Sequence, residues 1–254
     1  MVDNFLMVNY RDVSKKIIQF IAGQVNQRKK NGVVIGISGG VDSSVAAVLA
    51  SRALKNKIII GLIMPEKGVT PKTDSQNALS LAKKLEIRYK QIPIEQGKKS
   101  LLRKLPWKKL PAGNFSARLR MALLYYSAAI DNLLVLGTAD KSELMLGYFT
   151  KFGDSGSDIL PIAGLYKTQV RLLAKQLRVP EKIIQQPSSP RFWRGQLAEK
   201  EIGIRYDEID IILESHLHND LNNCSVDKKK IKIVTEMMKE SSHKKEDTPI
   251  CNPF

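Results

Sequence analysis

An α/β fold, with a parallel sheet of about five strands and helices on both faces, is predicted by three observations. The apolar run at residues 33–37 reads as a buried strand that turns through Ser38-Gly39-Gly40 into a helix carrying Val45, Val48 and Leu49 at helical spacing. Strand and helix then alternate through 58–64, 73–85 and 88–94, the pattern of a Rossmann-like parallel sheet. A further buried strand at 133–136 runs into Gly137-Thr138, and in such sheets ligands sit beyond the carboxyl ends of the strands.

The elements follow in order. Val13, Ile17, Ile21 and Val25 recur at fours and predict an amphipathic helix over residues 9–30, ending at Asn31-Gly32. Pro65 stops the second strand, and Thr73 caps the next helix. The basic stretch 98–113 holds Pro106 and Pro111 and reads as a connection before a helix over 114–129. Residues 147–164 form a long glycine-containing loop of the kind that carries function. Helices are expected over 168–177, near 207–213 and near 228–239, with 187–195 irregular. The whole chain, 1–254, reads as one domain with a mobile polar tail from about residue 241.

Composition narrows the class. No run of eighteen apolar residues occurs and the N-terminus lacks a secretory apolar core, so a soluble cytoplasmic protein with no membrane partner is expected. Cys224 and Cys251 stand in no metal-like spacing and suggest neither a disulfide framework nor a zinc site. The net charge of +16 lies in short Lys/Arg clusters without interleaved aromatics. It suits a solvated surface or a polyphosphate substrate better than RNA, and no nucleic-acid partner is expected.

The chemistry concentrates in Gly36-Ile37-Ser38-Gly39-Gly40-Val41-Asp42-Ser43-Ser44. Two glycines allow a sharp bend and close approach to a ligand, and the first N–H groups of the new helix point into the same hollow as the serine hydroxyls. That is a phosphate site without the Lys of a Walker loop or the third Gly of a dinucleotide fingerprint. Asn114, Arg118 and Tyr125 share one face of a helix, and a guanidinium beside an aromatic suits a phosphate next to a ring. Thr138 and Glu143 follow a strand end, where Asp42 and Glu143 are candidates for magnesium, which takes few protein carboxylates beside phosphate oxygens and water. Lys151, Asp154 and Asp158 lie in one glycine-rich segment, Lys167 opens a helix, and Ser188 follows a proline.

The Ser38–Ser44 string resembles the pyrophosphate loop of the ATP-pyrophosphatase superfamily. Together with Asn114–Met121, Gly137-Thr138, Lys141-Ser142-Glu143, Gly147–Asp158, Leu165-Tyr166-Lys167, Pro187-Ser188, Gly203-Ile204-Arg205-Tyr206 and His243-Lys244, it resembles ammonia-dependent NAD synthetases over nearly the whole chain. The resemblance implies an adenine nucleotide α-hydrolase-like fold and a ligase that uses ATP to amidate deamido-NAD with ammonia, through an acyl-adenylate, as a homodimer. It assigns residues 36–43, Thr138, Lys167 and Ser188 to ATP, and Asp42 and Glu143 to Mg2+. It assigns Arg118, Lys151, Asp158, His243 and Lys244 to deamido-NAD, with Tyr125 beside them, and Asp154 to the reacting carboxylate and ammonia. Asp42, Asp154 and Lys167 are the expected catalytic residues.

Two positions depart from the family pattern: Ala198-Glu199 stands for an Asp-Glu pair, and Asp140 for Asn. Neither cysteine is placed as a glutaminase nucleophile, and no length remains for a second unit, so free ammonia is the expected nitrogen donor. Two other readings are a tRNA-modifying ATP-pyrophosphatase such as a lysidine synthase, and a non-catalytic nucleotide-binding protein. The first lacks an added basic domain, and the second leaves the Glu143 and Asp154 segments without a use.

Overall fold

The computed structural model describes residues 5–253 and places four parallel strands at its centre. They are β1 (Gly32–Gly36), β2 (Ile58–Ile63), β3 (Arg88–Gln91) and β4 (Leu134–Leu136), in the order β3-β2-β1-β4. Chain order runs outward from β1 to β3 on one side and resumes with β4 on the other. The loop after β1 therefore emerges where strand order reverses, the point at which doubly wound sheets bind ligands.

About five strands were expected and four are present among the described residues. Beyond β4 a single parallel bridge, Leu136 to Ile159, stands where a fifth would lie. Gly156 and Pro161 flank that segment, and neither favours extended ladder pairing.

The helices are α1 (Tyr10–Gln27), α2 (Val41–Ala53), α3 (Lys72–Lys84), α4 (Glu95–Leu102), α5 (Lys109–Asp131) and α6 (Lys141–Leu146). Then come α7 (Lys167–Gln176), α8 (Glu181–Ile184), α9 (Ala198–Ile202), α10 (Tyr206–Leu217), α11 (Lys228–Glu240) and α12 (Ser242–Lys245). Val33, Ile35 and Ile37 face a core shared with α1, α2 and α7, while Val34 faces the opposite core under α5. That alternation is the period of two of a strand buried on both faces. In α2, Ala46, Ala47 and Ala50 are fully buried, so the helix sits close against its neighbours. Truncating its buried Leu49 to Ala should cost about 3 kcal/mol. A third apolar cluster joins α6, α9, α10 and α11 around Tyr166 and Tyr206.

The stretch 98–113, expected to be a connection, is partly helical: α4 covers its start and α5 begins at Lys109. Pro111 falls in the first turn of α5, where backbone N–H groups have no intrahelical acceptor to lose. The third strand ends at Gln91, short of the expected residue 94, with Pro93 just beyond.

The tail, expected to be mobile from residue 241, is held at its start. Ser241 Oγ donates to the Leu146 carbonyl at 3.0 Å, and Lys245 Nζ donates to that of Met145 at 3.0 Å. Carbonyls at the end of α6 have no intrahelical donor, and these groups supply one. Among the described residues, no helix is long and apolar enough to cross a membrane.

Candidate active site

The loop after β1 is built by its own serines. Ser43 Oγ accepts from Ser38 N at 3.2 Å and lies 3.0 Å from Ser38 Oγ, which in turn accepts from Gly40 N at 3.2 Å. Ser44 Oγ donates to the Gly40 carbonyl at 2.7 Å. Gly39 has φ of +87°, and a Cβ there would lie 2.1 Å from the Asp74 carbonyl oxygen, so only glycine fits. Gly40 caps α2 without a side-chain bond, which leaves the opening amides of that helix directed outward.

A cavity of about 260 Å³ lies over this loop. Of the positions expected to meet ATP, Gly36, Ile37, Ser38, Gly40, Val41, Asp42, Ser43, Thr138 and Ser188 line it. Gly39 is turned onto Asp74 instead.

Lys167 is placed differently from the expectation that it reaches a phosphate. Its side chain is fully buried, with Nζ 2.8 Å from Asp42 Oδ1, 2.8 Å from Asp140 Oδ2 and 2.9 Å from Glu143 Oε1. The helix starts bring them together: Lys167 N donates to Ser142 Oγ at 2.9 Å, and Lys141 N to the Leu165 carbonyl at 2.8 Å. Asp140 also caps α6, accepting from Glu143 N at 2.8 Å. Burial alone would lower the Lys167 pKa, but Asp140, Asp42 and Glu143 together hold it well above its ordinary value. Burial raises Glu143 to about 8 and raises Asp140, each further pushed by the neighbouring carboxylates and opposed by Lys167.

Asp42 and Glu143 face the cavity, whereas Asp140 is fully buried behind them. Asp42 Oδ1 and Asp140 Oδ2 are buried and meet the ammonium only as ion pairs, without an aligned hydrogen bond. Asp42 and Glu143 thus present carboxyl oxygens at the cavity wall. That donor set fits a divalent cation held by phosphate oxygens and one or two carboxylates. Among the described residues no group of three His, Cys, Asp or Glu forms an all-protein metal cage.

Asp154 opens on the cavity, yet the surrounding protein removes enough bulk water to raise its pKa, against the lowering effect of Thr150 N at 2.7 Å, Lys244 and Arg120. The other residues expected to meet deamido-NAD gather outside the cavity. Arg118 donates to the Lys151 carbonyl at 3.2 Å, and Tyr125 to Asp158 Oδ1 at 3.3 Å. Burial and then Asp158 push the Tyr125 phenol up to about 12. Asp158 Oδ2 accepts from Val135 N at 2.7 Å. Lys151 Nζ donates to the His243 carbonyl at 2.8 Å, and Lys244 Nζ to that of Gly147 at 2.8 Å. His243 Nδ1 lies 3.0 Å from the Glu240 carbonyl. These residues form a rim that joins α5, the 147–158 segment and the tail.

Arg120 was not singled out by the sequence and lines the cavity. Its Nε donates to the Met64 carbonyl at 3.0 Å, and burial lowers its pKa against the opposing charges of Glu66 and Asp154. Two residues along a helix turn about 200°, so Arg118 and Arg120 face opposite ways. Apolar spacing does not separate them, since Arg118 has Phe115, Met121 and Ala122 at three and four positions and Arg120 has Ala117, Leu123 and Leu124.

A family model described as NAD synthase matches residues 13–248. An "NH(3)-dependent NAD(+) synthetase" of Hyperthermus butylicus is 43% identical over 262 aligned positions, covering 99% of this chain and 94% of that protein. Its counterpart in Archaeoglobus fulgidus is 43% identical, over 96% of this chain and 98% of that one. Among solved structures, an NMN synthetase from Francisella tularensis superposes with a TM-score of 0.88 at 34% identity, covering 97% of this chain and 100% of that chain. An NH3-dependent NAD synthetase from Campylobacter jejuni, in complex with a nitrate ion, gives 0.83 at 32%, covering 96% and 100%. With its parallel sheet, its glycine–serine loop and these full-length matches, the chain belongs to the NAD synthase family.

Proposed function

We propose that the protein makes NAD from deamido-NAD, ammonia and ATP, releasing AMP and pyrophosphate through an acyl-adenylate. The observation that carries this reading is the serine-braced loop at the mouth of β1, found in a chain alike from end to end to ammonia-dependent NAD synthetases. Neither tRNA modification nor mere nucleotide binding is favoured by those likenesses.

In this reading the opening amides of α2 and the Ser38 and Ser43 hydroxyls hold the β- and γ-phosphates of ATP. Thr138 and Ser188 contact the nucleotide from the far walls. An oxygen of the nicotinate carboxylate attacks the α-phosphorus, the bond to the bridging oxygen breaks, and pyrophosphate leaves. Asp42 and Glu143 are the residues that would hold Mg2+, which when bound supplies positive charge to the phosphates. Lys167 holds those two carboxylates apart and in place, a positioning role in place of a direct phosphate contact.

Ammonia then attacks the acyl carbon, the bond to AMP breaks, and a proton must leave the nitrogen. In this reading Asp154, which lines the cavity, accepts it, and a raised pKa makes it a better base than an ordinary carboxylate. Arg118, Lys151, Asp158, His243 and Lys244 form the rim for deamido-NAD. A homodimer in the cytoplasm completes the reading. Tyr126 and Ile130, one turn apart on α5 beside that rim, are 70% and 64% exposed and support the dimer.

The test is an assay of AMP and pyrophosphate release with deamido-NAD, with nicotinic acid mononucleotide, with tRNA, and with no acceptor. The second arm is included because of the likeness to an NMN synthetase. A clear preference for deamido-NAD supports the proposal, and a preference for either other acceptor replaces it.

A further inference from the structure

Asp74 has no part in the roles described so far, yet it touches two walls of the cavity. It lies in the first turn of α3 and is 3% exposed. Its main chain supports the phosphate loop, because the Asp74 carbonyl fills the space a Cβ on Gly39 would need. Its side chain holds the opposite wall: Oδ2 accepts from Arg191 Nε at 2.8 Å and Oδ1 from Gln186 Nε2 at 2.6 Å.

Residues 186–192 line the cavity as a strap and carry Ser188. The far half of the strap is fastened to α5. The Phe192 side chain occupies the space opposite Gly113, where a Cβ would approach it to 2.4 Å, and Lys109 Nζ lies 4.3 Å from the Trp193 ring centroid. Phe192 N also donates to Gln196 Oε1 at 2.8 Å. On the α3 side, the Asp74 carboxylate supplies the two short bonds, beside a longer one from Asn77 Nδ2 to Gln186 Oε1 at 3.5 Å. Arg191 has φ of +53°, a conformation that side-chain-bearing residues rarely adopt and that persists only when surrounding contacts enforce it. A buried ion pair by itself is weak evidence for stability. Here both partners line the cavity, so their geometry sets its shape.

We propose that Asp74 is a positioning residue for ATP: by gripping Arg191 and Gln186 while bearing on Gly39, it fixes the spacing between the strap and the phosphate loop. The inference rests on the ATP-dependent reading above and adds to it a residue that acts through others. A cavity shaped before the ligand arrives loses less ordering free energy on binding, so the effect falls on affinity. Turnover at saturating ATP changes little.

The experiment uses the Trp107→Phe protein, in which Trp193 is the sole tryptophan of the two in the chain. Asp74→Ala, Arg191→Ala and the double variant are compared with that parent. Three quantities are read: acrylamide quenching of Trp193 without ligand, calorimetric affinity for a non-hydrolysable ATP analogue, and the thermal midpoint. Each single variant should raise quenching and weaken the analogue about tenfold, and the double should be no weaker than the worse single. Unchanged affinity in both singles, or losses that add in the double, would overturn the proposal. If the parent bound the analogue yet made no NAD, the functional reading would fall while the Asp74 proposal would still be judged on binding and quenching.

Discussion

The Lys167 ammonium and the Asp140 carboxylate, both without solvent exposure, lie 2.8 Å apart behind the wall of the cavity. Removing the charge of Lys167 leaves Asp42, Asp140 and Glu143 without a counter-ion. Breaking a buried pair from one side costs about 3–5 kcal/mol. Lys167→Met should therefore lower the free energy of unfolding by that order in urea titration. Asp140 and Glu143, raised by burial, would lose the opposing effect of Lys167 and stand still further above their unfolded values. Protonation then favours the fold, so the deficit should be smaller at pH 5 than at pH 8. A variant as stable as wild type at pH 8 would show that the cluster is not held by this charge.

Asp42→Asn should keep the fold and lose most turnover. It removes one of the two carboxylates that face the cavity and leaves Lys167 paired with Asp140 and Glu143. The check is steady-state turnover at saturating Mg2+ beside a thermal melt. Near-native activity in the folded variant would remove Asp42 from the catalytic set.

Arg118→Ala should weaken deamido-NAD far more than ATP, since Arg118 lies on the outer rim and does not line the cavity over the loop after β1. Separate titration of the two ligands decides it, and an equal loss for both would reassign the residue. Ile130→Asp on the same helix tests the dimer by gel filtration. A dimer that becomes monomer supports that face as the interface, and a dimer that persists places the contact elsewhere.

Asp210 gives a pH signature outside the cavity. Burial raises its pKa to about 6, against the lowering effects of donors from Ser142 and Thr168. Since the folded value stands above the unfolded 3.8, Asp210 contributes most below about pH 4, and that contribution is lost as the pH rises through 6. The loss amounts to at most about 3 kcal/mol. Urea midpoints between pH 4 and 7 should fall with pH in the wild type more steeply than in Asp210→Asn. Parallel slopes would contradict the shift.

What the sequence made legible was local. The turn after β1 could be read because two glycines and three serines at fixed spacing follow a buried β-branched strand and open a helix. The sheet was legible from buried β-branched runs, except where the fifth strand shrank to one bridge. The Lys167 cluster was not legible, because Asp42, Asp140 and Lys167 come from three elements that meet only when α6 and α7 start side by side. The strap read as irregular because its fastenings to Asp74, Gly113 and Lys109 are distant in sequence, and its own bonds, such as Arg191 N to Ser189 Oγ, are not periodic. The start of the tail was expected to move, and its lysines instead satisfy carbonyls of the 145–149 segment.

The most direct test of the functional account is product analysis with the purified chain, ATP, Mg2+, deamido-NAD and ammonium chloride, repeated with ammonia-free glutamine. The account predicts NAD, AMP and pyrophosphate in equal amounts with ammonium, faster as the pH rises and more NH₃ is present, and little NAD with glutamine. ADP and phosphate as products, or NAD formed equally fast from glutamine alone, would contradict it.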